Sequence, residues 1–159
     1  MNSKNLTKIL LFFLLTLSYG CGYKVLDSYE TKNFNLKEII TTGDKRVNFK
    51  IRNSLMLDTA GNKENNVIIS LHTEKVKKIK EKNIKNEISK YEITLNTKLK
   101  IKIIEKDFQR EIDLTSVGDY SVSDQYSSTL KNEKRLLEDL TNDISDKVQK
   151  RINLILNDF

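Results

Sequence analysis

The sequence predicts an α+β fold, a two-layer sandwich of about four mostly antiparallel strands with two helices packed on one face. Three observations carry the prediction. Residues 91–103 alternate with a period of two, only Thr97 interrupting the apolar side, residues 108–122 alternate in the opposite parity after a polar turn, and residues 128–157 carry one apolar stripe at helical spacing. At about 3.3 Å per residue the first strand spans roughly 43 Å, and thirty helical residues span roughly 45 Å. One long helix laid along one long hairpin buries both apolar sides and leaves the other sheet face wet.

Residues 34–41 (FNLKEIIT) form a short apolar-rich run and a first strand. Gly43-Asp44 then precedes Val47, Ile51 and Leu55, one face of a helix at i, i+4, i+8. Asp44 is placed to cap its start, and Gly61-Asn62 to close it. Residues 62–66 read as a turn, and a second strand starts at Val67, with Val67, Ile69 and Leu71 on one side. With no proline and five glycines, turns rest on Gly43, Gly61, Gly118 and Asn/Asp clusters.

The third strand puts Tyr91, Ile93, Leu95, Thr97, Leu99, Ile101 and Ile103 on one side. After Glu105-Lys106-Asp107, the fourth puts Phe108, Ile112, Leu114, Tyr120 and Val122 on the other parity. A hairpin must bring both apolar sets to one face, so odd residues oppose even ones. With Ile103 opposite Phe108, Leu99 meets Ile112, Lys100 meets Glu111 and Lys98 meets Asp113. A slip of two residues still opposes Lys102 to Glu111 and Lys100 to Asp113, so opposite charges pair in either register, each contributing ~0.2–1 kcal/mol. In the terminal helix the stripe is Leu130, Leu137, Leu140, Ile144, Val148, Ile152 and Ile155.

Composition bounds the function. The chain of 159 residues is one domain's worth. Its 28 Lys+Arg against 22 Asp+Glu give +6, falling to +4 once Lys4 and Lys8 leave with the leader described next. That is too mild and too dispersed for a nucleic-acid binder. One Cys excludes an internal disulfide, and one Cys with one His excludes a structural zinc cluster. Any nucleophile–histidine enzyme would depend on His72. No nucleophile motif accompanies it and no glycine-rich phosphate loop exists, so no catalytic residue is expected.

Residues 1–20 read as a secretory signal. Lys4 and Lys8 form its positive end, and residues 9–17 form an apolar core too short for a stable span. It closes on Ser18-Tyr19-Gly20-Cys21, which resembles a bacterial lipobox, with Gly20 before the cleavage point and Cys21 as the lipidated residue. The alternative is an ordinary signal with a chance cysteine beside it. Lipidation accounts for a lone thiol in an exported protein. More than one acyl chain, at about 0.8 kcal/mol per buried CH₂, gives stable anchoring without a span. Gly22 is not the Asp of inner-membrane retention, so the outer membrane is expected, with residues 21–159 as a single domain. Apart from the covalent lipid on Cys21, no cofactor is expected.

The layout resembles the lipopolysaccharide-assembly lipoproteins of the LptE family. The residues that carry the resemblance are Cys21-Gly22-Tyr23 and the segment Tyr120-Ser121-Val122-Ser123-Asp124-Gln125-Tyr126, leading into the terminal helix with Leu137, Leu140, Thr141, Ile144 and Arg151-Ile152. Arg52-Asn53-Ser54-Leu55 is similar to the family's early helix, and the element order fits. The resemblance implies no enzyme. It implies a plug inside the outer-membrane β-barrel LptD, assisting barrel assembly and the insertion of lipopolysaccharide. Two rivals come from other classes: a free-standing periplasmic lipid-binding lipoprotein, and a small envelope enzyme using His72.

Candidate lipopolysaccharide contacts are Lys77, Lys78, Lys80, Lys82, Lys98 and Lys100. Lys98, Lys100 and Lys102 form a stripe on the exposed sheet face, able to meet phosphates as point charges or to pair with Glu111 and Asp113. Lys75, Lys77, Lys78, Lys80, Lys82 and Lys85 form a less compensated cluster, read as a solvated strand end and loop or as a phosphate-binding patch. Tyr120 and Tyr126 flank the entry to the long helix, more as packing residues than as partner contacts.

Overall fold

The computed structural model describes residues 34–55 and 65–158. Its elements run β1 (Phe34–Gly43), α1 (Lys45–Ser54), β2 (Asn65–Lys82), β3 (Ile88–Ile103), β4 (Phe108–Ser121) and α2 (Tyr126–Asn157). The strands form one sheet in chain order, β1-β2-β3-β4. β1 lies parallel to β2, and the other pairs are antiparallel. Parallel pairing needs a crossover, and α1 with the segment after it supplies one. The sandwich of four strands and two helices is the fold that the sequence predicts.

β3 and β4 meet in the first of the two expected registers: Ile103 opposite Phe108, Leu99 opposite Ile112, Lys100 opposite Glu111 and Lys98 opposite Asp113. The same parity carries into β2, where Val67, Ile69 and Leu71 face Ile103, Ile101 and Leu99. All six are buried. Thr73 and Thr97 continue this buried row, and their hydroxyls satisfy each other at 3.0 Å, as buried polar groups must. From α2 the core receives Leu140, Ile144, Val148, Ile152, Ile155 and Leu156, and from α1 it receives Val47 and Ile51. Both helices thus share one core and one face of the sheet.

The element ends depart from the sequence reading for local reasons. Asp44 caps α1 as expected, accepting hydrogen bonds from the Arg46 and Val47 amides at 3.0 and 3.1 Å. Asp44→Ala should therefore cost about 1 kcal/mol, read as a lower midpoint in urea unfolding with an unchanged slope. α1 stops at Ser54, and Gly61-Asn62, the expected stop, lies outside the described residues. β2 runs on to Lys82, so most of the lysine cluster assigned to a strand end and loop lies within a strand. The turn after it uses asparagine in place of glycine. Asn83 accepts from the Lys85 and Glu87 amides, and Asn86 takes φ 63°, a conformation asparagine tolerates.

Gly118 corrects an expectation. It is no turn residue but lies inside β4 opposite Ile93, where a Cβ would stand 2.6 Å from Leu136 Cδ1. The missing side chain makes room for the helix. Gly43, by contrast, does end its strand, at φ 88°.

Candidate functional site

Beyond Thr73 the inward positions of β2 become Lys75, Lys77 and Ile79, opposite Leu95, Ile93 and Tyr91. The helical cover thins at this end. Leu130, the first member of the expected stripe, is 47% exposed, and Tyr126 is 76% exposed. Here the sheet places Lys77 Nζ 4.4 Å from the ring centre of Tyr91 and 5.2 Å from that of Tyr120. The two rings stack at 5.7 Å. Glu133 comes down from α2 and accepts from Lys77 Nζ and from the Tyr120 hydroxyl, both at 2.8 Å. An ammonium over two ring faces, closed by a carboxylate, gains cation–π and charge-assisted hydrogen bonding in a partly desolvated place.

The electrostatics follow from this geometry. The hydrogen bond from Lys77 holds the Glu133 carboxyl below its ordinary range, against the opposing effect of burial. Burial works against the Lys77 ammonium, but its bonds to Glu133 and Tyr120 outweigh it, and its pKa is raised. Burial raises the Tyr120 phenol, which keeps it a donor. Because the folded pKa of Glu133 is depressed, its contribution is present above the unfolded carboxylate value of about 4.3 and is lost as pH falls through the folded value. Glu133→Ala should cost about 1–2 kcal/mol at pH 7, through an orphaned ammonium and hydroxyl. The gap from the parent should narrow below about pH 4, as thermal melts across that range would show.

This cluster borders a cavity of about 400 Å³ whose walls include Ile88, Val122, Tyr126 and Leu130. Sequence reading missed the arrangement, although a signal existed. The period of two that starts at Val67 puts Lys77 on the apolar side, whereas the lysine cluster was expected to be a solvated strand end and loop or a phosphate-binding patch. Tyr120 and Tyr126, paired in that reading as packing residues, separate: Tyr120 is buried and Tyr126 is exposed.

The candidate lysines therefore do not form one patch. Lys77 points under α2. On the open face Lys80 pairs with Asp119 at 2.7 Å and Lys98 with Glu111 at 3.2 Å. The Lys98 pair is diagonal, since its register partner is Asp113. These bonds raise the pKa of Lys80 and of Lys98, and lower that of Asp119. Lys82 donates to Asn86 in the hairpin turn. Among the described residues Lys75, Lys78, Lys100 and Lys102 make no ion pair. His72 sits on the open face, as its parity predicts, with Nδ1 2.9 Å from Thr42 Oγ1 and Nε2 3.1 Å from Glu74 Oε1. The side chains of His72 and Glu74 are about half and two-thirds exposed. Gly20 and Cys21 lie outside the described residues.

Among the described residues no group of His, Asp or Glu side chains is arranged to hold a metal ion, and no helix is long and apolar enough to cross a membrane. No family model and no curated protein matches the chain. Solved structures do. The chain is similar to rare lipoprotein B from Shewanella oneidensis, with a TM-score of 0.56 at 10% identity, over 72% of this chain and 92% of that one. It is similar to the uncharacterized lipoprotein B from Nitrosomonas europaea, with a TM-score of 0.53 at 12% identity, over 80% of this chain and 89% of that one. A minor lipoprotein from Acinetobacter baumannii matches with a TM-score of 0.51 at 10% identity, over 74% and 93%. At such identities the likeness is one of fold, and it is a fold found in bacterial lipoproteins.

Proposed function

We propose that this protein is an outer-membrane lipoprotein, anchored through Cys21 on the periplasmic side. In this reading it plugs an LptD-type β-barrel, assists the barrel's assembly and takes part in inserting lipopolysaccharide into the outer leaflet. The observation that carries the reading is the one-sided sandwich. Both helices share one face of the sheet, while the other face presents a long, largely polar surface of Ser, Thr, Asn, Lys, Glu and Asp. Such a body suits the wet, polar interior of a large barrel. The lipid tether raises its effective concentration beside the partner without new contacts. The lipoproteins that share its fold support the same reading, as does the lipobox-like end of the leader.

Lipopolysaccharide phosphates would meet the stripe of Lys98, Lys100 and Lys102, where Lys100 and Lys102 are uncommitted, rather than Lys77 or Lys80, whose ammonium groups are held by Glu133 and Asp119. The protein has no catalytic duty in this account. His72→Ala should leave its cellular role intact, checked by complementation of a strain lacking the native copy. The decisive experiment is a pull-down from detergent-solubilised outer membranes. A stoichiometric barrel in the eluate is the expected result, and its absence would leave the second reading, a free-standing lipid-binding lipoprotein. That alternative draws on the cavity beside Tyr126 and Leu130.

A further inference from the structure

β1 covers only half of β2. Their pairing ends at Gly43 opposite Thr73, and the last bond is the Asp44 amide to the Thr73 carbonyl at 2.7 Å. From Glu74 to Lys82, β2 is paired with β3 on one side only among the described residues. The step is fixed by the backbone, because at Gly43 the chain takes φ 88° and leaves for α1. The Thr73 carbonyl points to the β1 side. Alternation along a strand therefore aims the N–H and C=O groups of Lys75, Lys77 and Ile79 into the same open notch. Three residues with outward groups are enough to receive a strand of five to seven residues, roughly 20 Å long.

The notch is basic. Between residues 74 and 85 there are six lysines against two glutamates. Lys75 and Lys78, one on each face of the strand, have no ion-pair partner among the described residues. Lysines on a free edge ordinarily oppose strand addition, and here they oppose one class of strand. A second copy of this chain would bring the same lysines and be repelled, whereas an acidic strand would be drawn in. The segment between α1 and β2 cannot fill the notch. Ile79 stands fourteen residues along β2 from Asn65, roughly 46 Å, and the nine residues from 56 to 64 reach at most about 32 Å.

We propose that the uncovered half of β2 is a docking edge for an acidic, extended segment of a partner protein, added to the sheet as a strand next to the end of β1. Main-chain bonds to Lys75, Lys77 and Ile79 would give affinity, and carboxylates meeting Lys75 and Lys78 would give selectivity. The proposal concerns a polypeptide, and it stands apart from any lipopolysaccharide contact on the open face.

The test uses the full chain, isotopically labelled in detergent, with the capped peptide Thr-Glu-Glu-Val-Glu-Val-Thr, which as a strand carries carboxylates on both faces, at up to roughly 1 mM, the weak end of specific binding. Amide exchange should slow at Lys75, Lys77 and Ile79 and stay unchanged at Val76 and Lys78, whose amides already face β3. The same peptide with lysine for glutamate should have no effect. Lys75→Pro removes one outward donor at an edge position that tolerates proline and should abolish the protection. Lys75→Glu combined with Lys78→Glu, which leaves the backbone free, should weaken binding about tenfold or more. The proposal is overturned by no protection, by equal response to both peptides, or by protection at the outer edges of β1 or β4. It is also overturned if the three amides are already protected without peptide, since another part of the chain would then cover the edge. Broad shifts around Lys78 and Lys80 with phosphatidylglycerol vesicles, and none with the acidic peptide, would assign these lysines to lipid phosphate instead.

Discussion

Ile144→Ala should destabilise the protein by about 4 kcal/mol, within the range for emptying a fully packed aliphatic site. Ile144 has no exposed surface and sits in the half of α2 that is seated on the sheet. Nothing beside it can refill the space easily, because Leu140 and Val148 flank it along the helix and are buried too. Leu130→Ala is the matched control. The sequence puts both residues on one stripe, yet Leu130 is nearly half exposed, so its truncation should cost well under about 1 kcal/mol. Equal losses for the two variants in urea unfolding would show that α2 is seated along its whole length, contrary to the structure.

Gly43→Val should cost about 3–5 kcal/mol. A Cβ at this position would clash with the Thr73 carbonyl oxygen, and φ is 88°. The obstacle is backbone, so no rotamer change relieves it, and a β-branched residue is strained in that region. Relief would require β1 to separate from β2 at the point where Asp44 bonds Thr73 and α1 begins. Gly118→Ala is the comparison. There the obstructing atom is the end of the flexible Leu136 side chain, and overpacking of this kind costs about 1–3 kcal/mol, toward the lower end when one rotamer can move. Thermal melts should rank the two variants in that order, and the reverse order would contradict the placement of Gly43.

The β3–β4 hairpin was legible because alternation has a period of two and a register error of one residue would turn every apolar side chain to water. The choice between the two charge-compatible registers was not legible, since Lys opposes acid in both. The turn Ile104–Asp107 made it, by closing at Ile103 opposite Phe108. The site beside the long helix was hidden for another reason. Lys77 looks like one more surface lysine in a run of six. What makes it different is Glu133, fifty-six residues away, and the Tyr91–Tyr120 stack formed by two neighbouring strands. The parallel course of β1 was unreadable too, because its short apolar run has no partner-specific pattern.

Sequence by itself determined the layers: periodicities of two and of seven-three-four set which residues are strand or helix and which side of each is apolar, and burial of those sides leaves few ways to stack them. Tertiary structure alone decided how far each layer covers the other. Where β1 stops against β2, where α2 parts from the sheet, and which lysines keep a carboxylate all depend on contacts between residues distant in the chain, and local pattern holds no record of such contacts.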